Sequence, residues 1–274
     1  MNSRRVRRWS LLAALTLGAI GPRIATAEDR DPRAVEIAGS LMEAMGGKAA
    51  FDAQRFLSFR FIVERDGEEI ANWLHSWDRY DGRYRLDGKT REGADLRVIM
   101  NLNDRTGRVW LGGELQSEEA AAPQLEQAYG RFINDTYWLL MPWKWLDPGV
   151  NLAYEGEQTL DGTVYDVVQL SFGTGIGLTS SDHYWAYVSR ESGLMERWAY
   201  VLQDEEGNPG TAEPRMFRWD GWETVAGTGV RLSIVKTPVP ASDPPLAIRC
   251  PIETLSPVTD DGVFAPPPAA KPSG

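Results

Sequence analysis

A two-residue alternation of apolar and polar side chains recurs along this chain and constrains the fold more than any other feature. This period is typical of half-buried β-strands. Asp-Gly pairs, which favour tight hairpin turns, separate many of these stretches. The alternation predicts strands at residues 57–64, 73–77, 96–102, 109–111, 164–172, 184–189, 194–203, 216–222 and 230–237, with an edge strand at 252–255. The Asp-Gly pairs lie at residues 66–67, 81–82, 87–88, 161–162 and 220–221.

Two regions carry a helical spacing instead. Apolar residues recur every three or four positions between residues 31 and 45, before a Gly-Gly pair that predicts the helix end. A short helical turn at 48–54 is expected to follow. A second long helix is predicted at 117–131, with two glutamates in its first turn. A further helix is expected at 134–140.

Strands joined by short turns, with helices inserted early and midway, predict an α+β fold. A sheet of about nine or ten strands accumulates twist, so we expect a curved antiparallel sheet. It forms an open or half barrel with the helices packed on its concave side. We expect a signal peptide at residues 1–27 and a single domain at 28–240. Residues 241–274 are rich in Pro and Ala and are expected to be partly disordered.

The N-terminus has the pattern of a cleavable secretion signal. Four arginines among residues 4–8 precede a short apolar run at 11–20, and Ala-Thr-Ala at 25–27 is a small-residue cleavage site. The apolar run is too short for a permanent membrane helix. We therefore expect export, which in a Gram-negative cell means the periplasm, with the Sec and twin-arginine routes both open.

The composition disfavours nucleic acid as a partner. Without residues 1–27 the chain has 24 basic and 39 acidic residues, a net charge of −15. Such a chain is repelled by nucleic acid and by anionic membrane surfaces. Cys250 is the only cysteine, which excludes an intramolecular disulfide and a cysteine-based zinc site.

The segment 134–150 concentrates aromatic side chains. Tyr137, Trp138, Trp143 and Trp145 fall within nine positions. A proline interrupts the run, and an Asp-Pro-Gly turn ends it. This much aromatic area either fills a core or lines an apolar pocket.

Motifs for catalysis or metal binding are weak. His75 and His183 are too few for a three-histidine site, and we interpret both as structural. Residues 180–183 contain the three residue types of a serine triad, but no Gly-x-Ser-x-Gly elbow is present. The glycine-rich segment 173–177 is expected to be a hairpin connection or a pocket rim. The scattered acidic residues leave a glycosidase carboxylate pair open.

Tryptophan is the remaining signal, because ten of the eleven tryptophans follow residue 27. They fill the space between sheet and helices, or they line a cavity for an acyl chain or another apolar ligand. Neighbouring strand residues alternate, so only some of them face inward. The predicted ligand-binding residues are Tyr137, Trp138, Met141, Trp143, Trp145, Trp73, Trp77, Trp110, Trp185 and Trp198.

Several of these aromatic residues belong to recognisable motifs. Residues 134–144 read Asn-Asp-x-Tyr-Trp-Leu-Leu-Met-Pro-Trp-Lys, followed by Asp-Pro-Gly-Val at 147–150, Asp-x-Tyr-Trp at 182–185 and Arg-Trp at 197–198. With the order of helices and strands, they resemble the lipoprotein-carrier superfamily of the LolA/LolB type. The chain looks closest to an uncharacterised exported family of outer-membrane lipoprotein-sorting-like proteins. The resemblance covers residues 32–238.

This resemblance implies an unclosed antiparallel β-barrel with helices as a lid over an apolar cavity. It also implies binding rather than catalysis. We therefore expect a periplasmic, non-catalytic carrier for a lipid, an acyl chain or a lipoprotein anchor, monomeric and without cofactor or metal. Two alternatives stay open: an envelope hydrolase acting on a glycoside or ester, and an envelope structural or interaction module with a filled core.

Overall fold

The computed structural model describes residues 29–267. The predicted signal peptide at residues 1–27 lies outside the described residues, as do the last seven residues of the Pro- and Ala-rich segment. None of the helices within the described range combines the length and the hydropathy that a bilayer crossing requires.

The first helix, α1 (Pro32–Ala44), matches the predicted one. The Asp31 carboxylate caps it by accepting two backbone N–H groups of the first turn, at 2.7 and 3.3 Å. Gly46 ends it with a φ of +107°, and a Cβ at this position would lie 2.1 Å from the carbonyl oxygen of Gly229. Only glycine fits such a conformation and approach. A short helix, α2 (Lys48–Asp52), follows.

The aromatic segment begins inside a single long helix, α3 (Glu118–Leu140). The prediction of separate helices at 117–131 and 134–140 is therefore wrong, because the helical spacing of buried positions continues through the expected break. These buried positions are Ala121, Ala128, Phe132, Asp135, Thr136, Leu139 and Leu140. Beyond α3 the chain tightens into a 3-10 helix (Met141–Lys144), with Pro142 in its first turn.

The described residues form fourteen strands in one sheet, more than the alternation predicts. The strands are β1 (Phe56–Arg65), β2 (Glu68–Asp78), β3 (Arg83–Lys89), β4 (Asp95–Asn101), β5 (Gly107–Leu111), β6 (Glu114–Leu115), β7 (Val150–Leu160), β8 (Thr163–Phe172), β9 (His183–Ser189), β10 (Met195–Val201), β11 (Arg215–Thr224), β12 (Arg231–Val239), β13 (Leu246–Arg249) and β14 (Ile252–Ser256). The strands β3, β6, β7 and β13 have no counterpart among the ten predicted strands.

The sheet consists of two meanders that meet at its centre. Its order is β6-β5-β4-β3-β2-β1-β13-β12-β11-β10-β9-β8-β7, and β14 also pairs with β1. The end strands β6 and β7 do not pair with each other, so the sheet is open. In the chain, α3 connects these two end strands, and it packs against β4, β5 and β12. The predicted open antiparallel sheet covered by helices is confirmed.

Two Asp-Gly pairs lie inside strands rather than in turns. Gly88 is within β3, where a Cβ would lie 2.3 Å from the ring of Trp73. Gly221 is within β11, has a φ of +61° and lies against Ile234 on the neighbouring strand. Close packing and a local distortion explain glycine at these two positions.

The helix-covered face of the sheet carries the core in two clusters. The larger one joins α1 and the end of α3 to β1 and to strands β7–β12, with Trp145, Trp219 and Leu41 fully buried. The smaller one joins the first part of α3 to strands β2–β5. Strand residues whose side chains point to the other face of the sheet, including Tyr165 and Tyr187, form a small cluster there. A cavity lies between the two main clusters.

Candidate functional site

A cavity of about 800 Å³ lies beneath the C-terminal half of α3 and the 3-10 helix. Strands β9 and β10 and the turn after β2 complete its walls. Most of its lining is apolar and aromatic. The aromatic rings of its lining include those of Phe51, Trp77, Trp138, Trp143, Tyr184 and Trp198.

One group of rings joins α3 to the sheet. Trp138 lies 4.9 Å from Trp198 and 4.9 Å from Phe217, measured between ring centroids. Tyr137 lies 5.3 Å from Tyr184. These distances are those of favourable aromatic pairs. Successive helix positions thus present two rings to strands β9–β11, and the rings form one wall of the cavity.

A second group of rings surrounds Arg79, directly after β2. Phe51 of α2 stacks on Trp143 at 4.4 Å with planes 12° apart. The Arg79 guanidinium lies 4.0 Å from the Phe51 ring centroid. It also donates hydrogen bonds to the carbonyl oxygens of Phe51 and Gln54, at 2.7 and 2.5 Å. Burial lowers the pKa of Arg79 from its ordinary value.

The mouth of the cavity carries exposed apolar side chains. Ile176, Leu178 and Leu202 line the cavity, and they are 37%, 53% and 53% exposed. Ile176 rests against Gly149, where a Cβ would lie 2.5 Å from its side chain. The glycine-rich segment 173–177 is therefore at the cavity rim, one of the two interpretations of its sequence.

The acidic side chains of the lining have partners. Asp52 pairs with Lys48, and Asp147 pairs with Lys144. Asp182 is buried, where it accepts hydrogen bonds from the Tyr184 hydroxyl at 2.9 Å and from a backbone N–H at 2.7 Å. Burial is the main cause that raises the pKa of Tyr184, so its phenol stays protonated.

The structure brings five of the predicted residues to this cavity, namely Trp77, Tyr137, Trp138, Trp143 and Trp198. The remaining five lie elsewhere. Trp145 is fully buried in the core, where its indole N–H donates to the Met141 sulfur at 2.9 Å.

The other three predicted tryptophans belong to different surroundings. Trp73 packs in the smaller core cluster beneath Arg131, whose guanidinium lies 4.0 Å from its ring. Trp110 lines a separate groove beside β3 and β4. Trp185 lies on the opposite face of the sheet, next to Tyr187.

The lining residues that had no prediction include Phe51, Arg79, Tyr184 and Tyr200. Tyr200 has the same strand parity as Trp198, so the period of two could have found it. Tyr184 belongs to the Asp-x-Tyr-Trp motif, but the ligand-binding residue predicted from that motif is the neighbouring Trp185. Arg79 and Phe51 carry no signal in the sequence, because a turn and a short helix bring them to the cavity.

A polar network of His75, Asp135 and Tyr84 lies in the core rather than on the cavity lining. His75 Nε2 is 3.1 Å from Asp135 Oδ2, and the Tyr84 hydroxyl is 2.7 Å from His75 Nδ1. All three side chains are buried. The network connects α3 to β2 and β3 and therefore has a structural role. Within residues 29–267, no group of three or more His, Cys, Asp or Glu side chains is arranged to hold a metal ion.

Solved structures that are similar to this chain include a LolA superfamily protein from Nitrosomonas europaea. It has 9% sequence identity and a TM-score of 0.48, over 85% of this chain and 97% of that chain. A DUF1329 family protein from Desulfovibrio piger has 12% identity and a TM-score of 0.45, over 86% and 98%. An outer membrane lipoprotein-sorting protein domain from Vibrio parahaemolyticus has 7% identity and a TM-score of 0.42, over 85% and 96%.

The solved structures to which this chain is similar include proteins named for the LolA superfamily and for lipoprotein sorting. No protein-family model and no curated protein sequence matches the chain.

Proposed function

We propose that this protein is a periplasmic, non-catalytic carrier for a hydrophobic ligand such as a lipid, an acyl chain or a lipoprotein anchor. The aromatic cavity beneath α3 is the observation that carries the proposal. Its volume of about 800 Å³ falls within the usual range for small-molecule sites, roughly 300–1,000 Å³. A cavity of this size accommodates an acyl chain and excludes a folded protein.

The distribution of polarity supports an apolar ligand. Rings of Trp138 and Trp198 provide rigid contact area at low entropic cost, and exposed Leu178 and Leu202 extend the apolar surface to solvent. An exposed apolar patch beside an apolar cavity is typical of an entry route for a ligand of the same character.

The charged groups favour binding over hydrolysis. A glycoside or ester hydrolase needs a carboxylate pair or an activated nucleophile facing its substrate. Here Asp52 and Asp147 contact lysines, and Asp182 accepts two hydrogen bonds. The periplasmic location rests on the secretion pattern of residues 1–27.

Titration with methyl oleate, an uncharged acyl ester, tests the proposal. Intrinsic tryptophan fluorescence should change saturably, with one site per chain, because Trp138, Trp143 and Trp198 line the cavity. An unchanged fluorescence spectrum and no heat of binding in calorimetry, for methyl oleate and for its anionic counterparts alike, would contradict the proposal.

A further inference from the structure

Arg79 brings a cation into the wall of this otherwise largely apolar cavity. Its position is defined by contacts to α2: the guanidinium lies 4.0 Å from the ring centroid of Phe51, and one of its nitrogens donates to two backbone carbonyl oxygens. Both hydrogen bonds are donated by Nη1. The carbonyl oxygens of a backbone orient a guanidinium without neutralising it.

Within the described residues, Arg79 makes no ion pair. Two other arginines behave differently, because Arg55 and Arg83 both contact the carboxylate of Asp78, at 2.8 and 2.7 Å. Asp52 and Asp147 act on Arg79 only at longer range, and each contacts a lysine instead. Burial lowers the pKa of Arg79 because its charge is desolvated without an anion in contact.

Further donors lie near Arg79 in the same cavity. Trp143 stacks on Phe51, and its buried indole N–H has no acceptor among the described residues. An indole N–H only donates, so an acceptor atom would satisfy it. Lys48 and Lys144 also line the cavity, but each of them contacts an aspartate of the same lining. Of these three cationic lining residues, Arg79 is thus the one without a carboxylate in contact among residues 29–267.

We propose that Arg79 binds the terminal oxyanion of the ligand, so that the cavity selects an anionic amphiphile with one carboxylate or phosphate group. The forked guanidinium matches the oxygens of either group. The acyl chain then lies against the rings of Trp138 and Trp198. This inference rests on the proposed function, since it names the class of hydrophobic ligand that the cavity takes.

Paired ligands that differ only in charge test this assignment. The wild-type protein should bind oleate at least about tenfold more tightly than methyl oleate, as expected for a charge-assisted hydrogen bond. Arg79→Gln should reduce this preference to within about twofold while it leaves the affinity for methyl oleate nearly unchanged. Arg131→Gln is the matched control, because its guanidinium also lies 4.0 Å from the centroid of an aromatic ring but is not in the cavity lining.

Oleoyl lysophosphatidate distinguishes the two sources of the oxyanion. A stronger preference for it over oleate would assign the site to a phosphate headgroup, and the reverse would assign it to a free carboxylate; both results support the inference. Arg79→Lys should keep most of the preference, because it keeps the charge. If Arg79→Gln unfolds, the assignment is tested by Arg79→Lys and by the preference of the wild-type protein for oleate over methyl oleate.

Two results would overturn the assignment and leave the proposed function standing. The first is equal binding of oleate and methyl oleate by the wild-type protein. The second is an undiminished preference in a folded Arg79→Gln variant. Absence of binding for all three probes would overturn both the assignment and the proposed function.

Discussion

The indole ring of Trp138 on α3 lies 4.9 Å from that of Trp198 on β10, with the two planes 38° apart. This contact joins α3 to β10, the fourth strand from the β7 end of the sheet. Both rings also line the cavity. The helix and the sheet therefore meet through the same side chains that would contact a ligand.

Replacing Trp138 by alanine should weaken the binding of methyl oleate by about tenfold or more. The expected loss corresponds to the apolar contact area of one indole, about 1.5–3 kcal/mol. Calorimetric titration measures it. Trp185→Ala is the matched control, since Trp185 is also half-buried but lies on the opposite face of the sheet. Equal losses in the two variants would contradict the placement of the ligand beneath α3.

The hydrogen bond between Tyr84 and His75 should contribute measurably to stability. Tyr84→Phe removes the hydroxyl that lies 2.7 Å from the buried His75 Nδ1 and leaves that nitrogen without its partner. We expect the free energy of unfolding to fall by about 1–3 kcal/mol in urea titrations. Tyr80→Phe is the control, because the Tyr80 hydroxyl donates to the Asp52 carbonyl oxygen at an exposed position, where water can replace it, and stability should change by less than about 0.5 kcal/mol. Similar midpoints for the two variants would show that the buried network is energetically neutral.

Asp78 should make the protein sensitive to acid. Burial alone would raise the pKa of its carboxyl, but hydrogen bonds from Arg55, Arg83 and two backbone N–H groups hold that pKa well below its usual range. A carboxyl with a depressed folded-state pKa contributes stability that is complete above the unfolded pKa of about 4. This contribution is lost as the pH falls through the folded-state value.

Asp78→Asn should therefore lower the melting temperature at neutral pH and flatten its decline below about pH 4. The expected loss of stability at neutral pH exceeds about 1 kcal/mol. Thermal melts of both proteins over a pH series provide the comparison. Curves that stay parallel down to the most acidic conditions would contradict the assigned role of Asp78.

Cys250 should react with thiol reagents only when the protein unfolds. Its side chain is fully buried, and burial raises the pKa of its thiol, so little thiolate forms. Labelling with Ellman's reagent should be negligible in native buffer and complete in denaturant. Thr159→Cys, at an exposed position of β7, should label at once and serve as the control. Rapid native labelling of Cys250 would contradict its burial.

The sequence predicts most of the sheet because buried strands keep a clear period of two. It does not predict β7, an end strand in which Glu155, Glu157 and Gln158 are exposed. Such polar edge residues prevent aggregation and hide the alternation. The short strand β13 lacks a signal because it has only four residues and follows a proline pair.

The aromatic segment predicts an apolar core or pocket, and five of the ten predicted ligand-binding residues line the cavity. Trp143 and Trp145 are two positions apart, yet the 3-10 helix places one in the lining and the other in the core. Trp185 lies outside the cavity because its side chain is on the opposite face of the sheet. Which residues of β9 face the cavity follows only from the pairing of β9 with β10. Arg79 reaches the cavity through a turn and through its contacts with Phe51, which are long-range in the sequence.

Native mass spectrometry of protein purified from a periplasmic extract tests the central claim most directly. We expect a mass increase that corresponds to one acyl-containing molecule per chain, and extraction with organic solvent should release a lipid. A chain that is recovered without any bound molecule, and whose tryptophan fluorescence does not respond to added fatty acid or phospholipid, would contradict the account of this protein as a carrier.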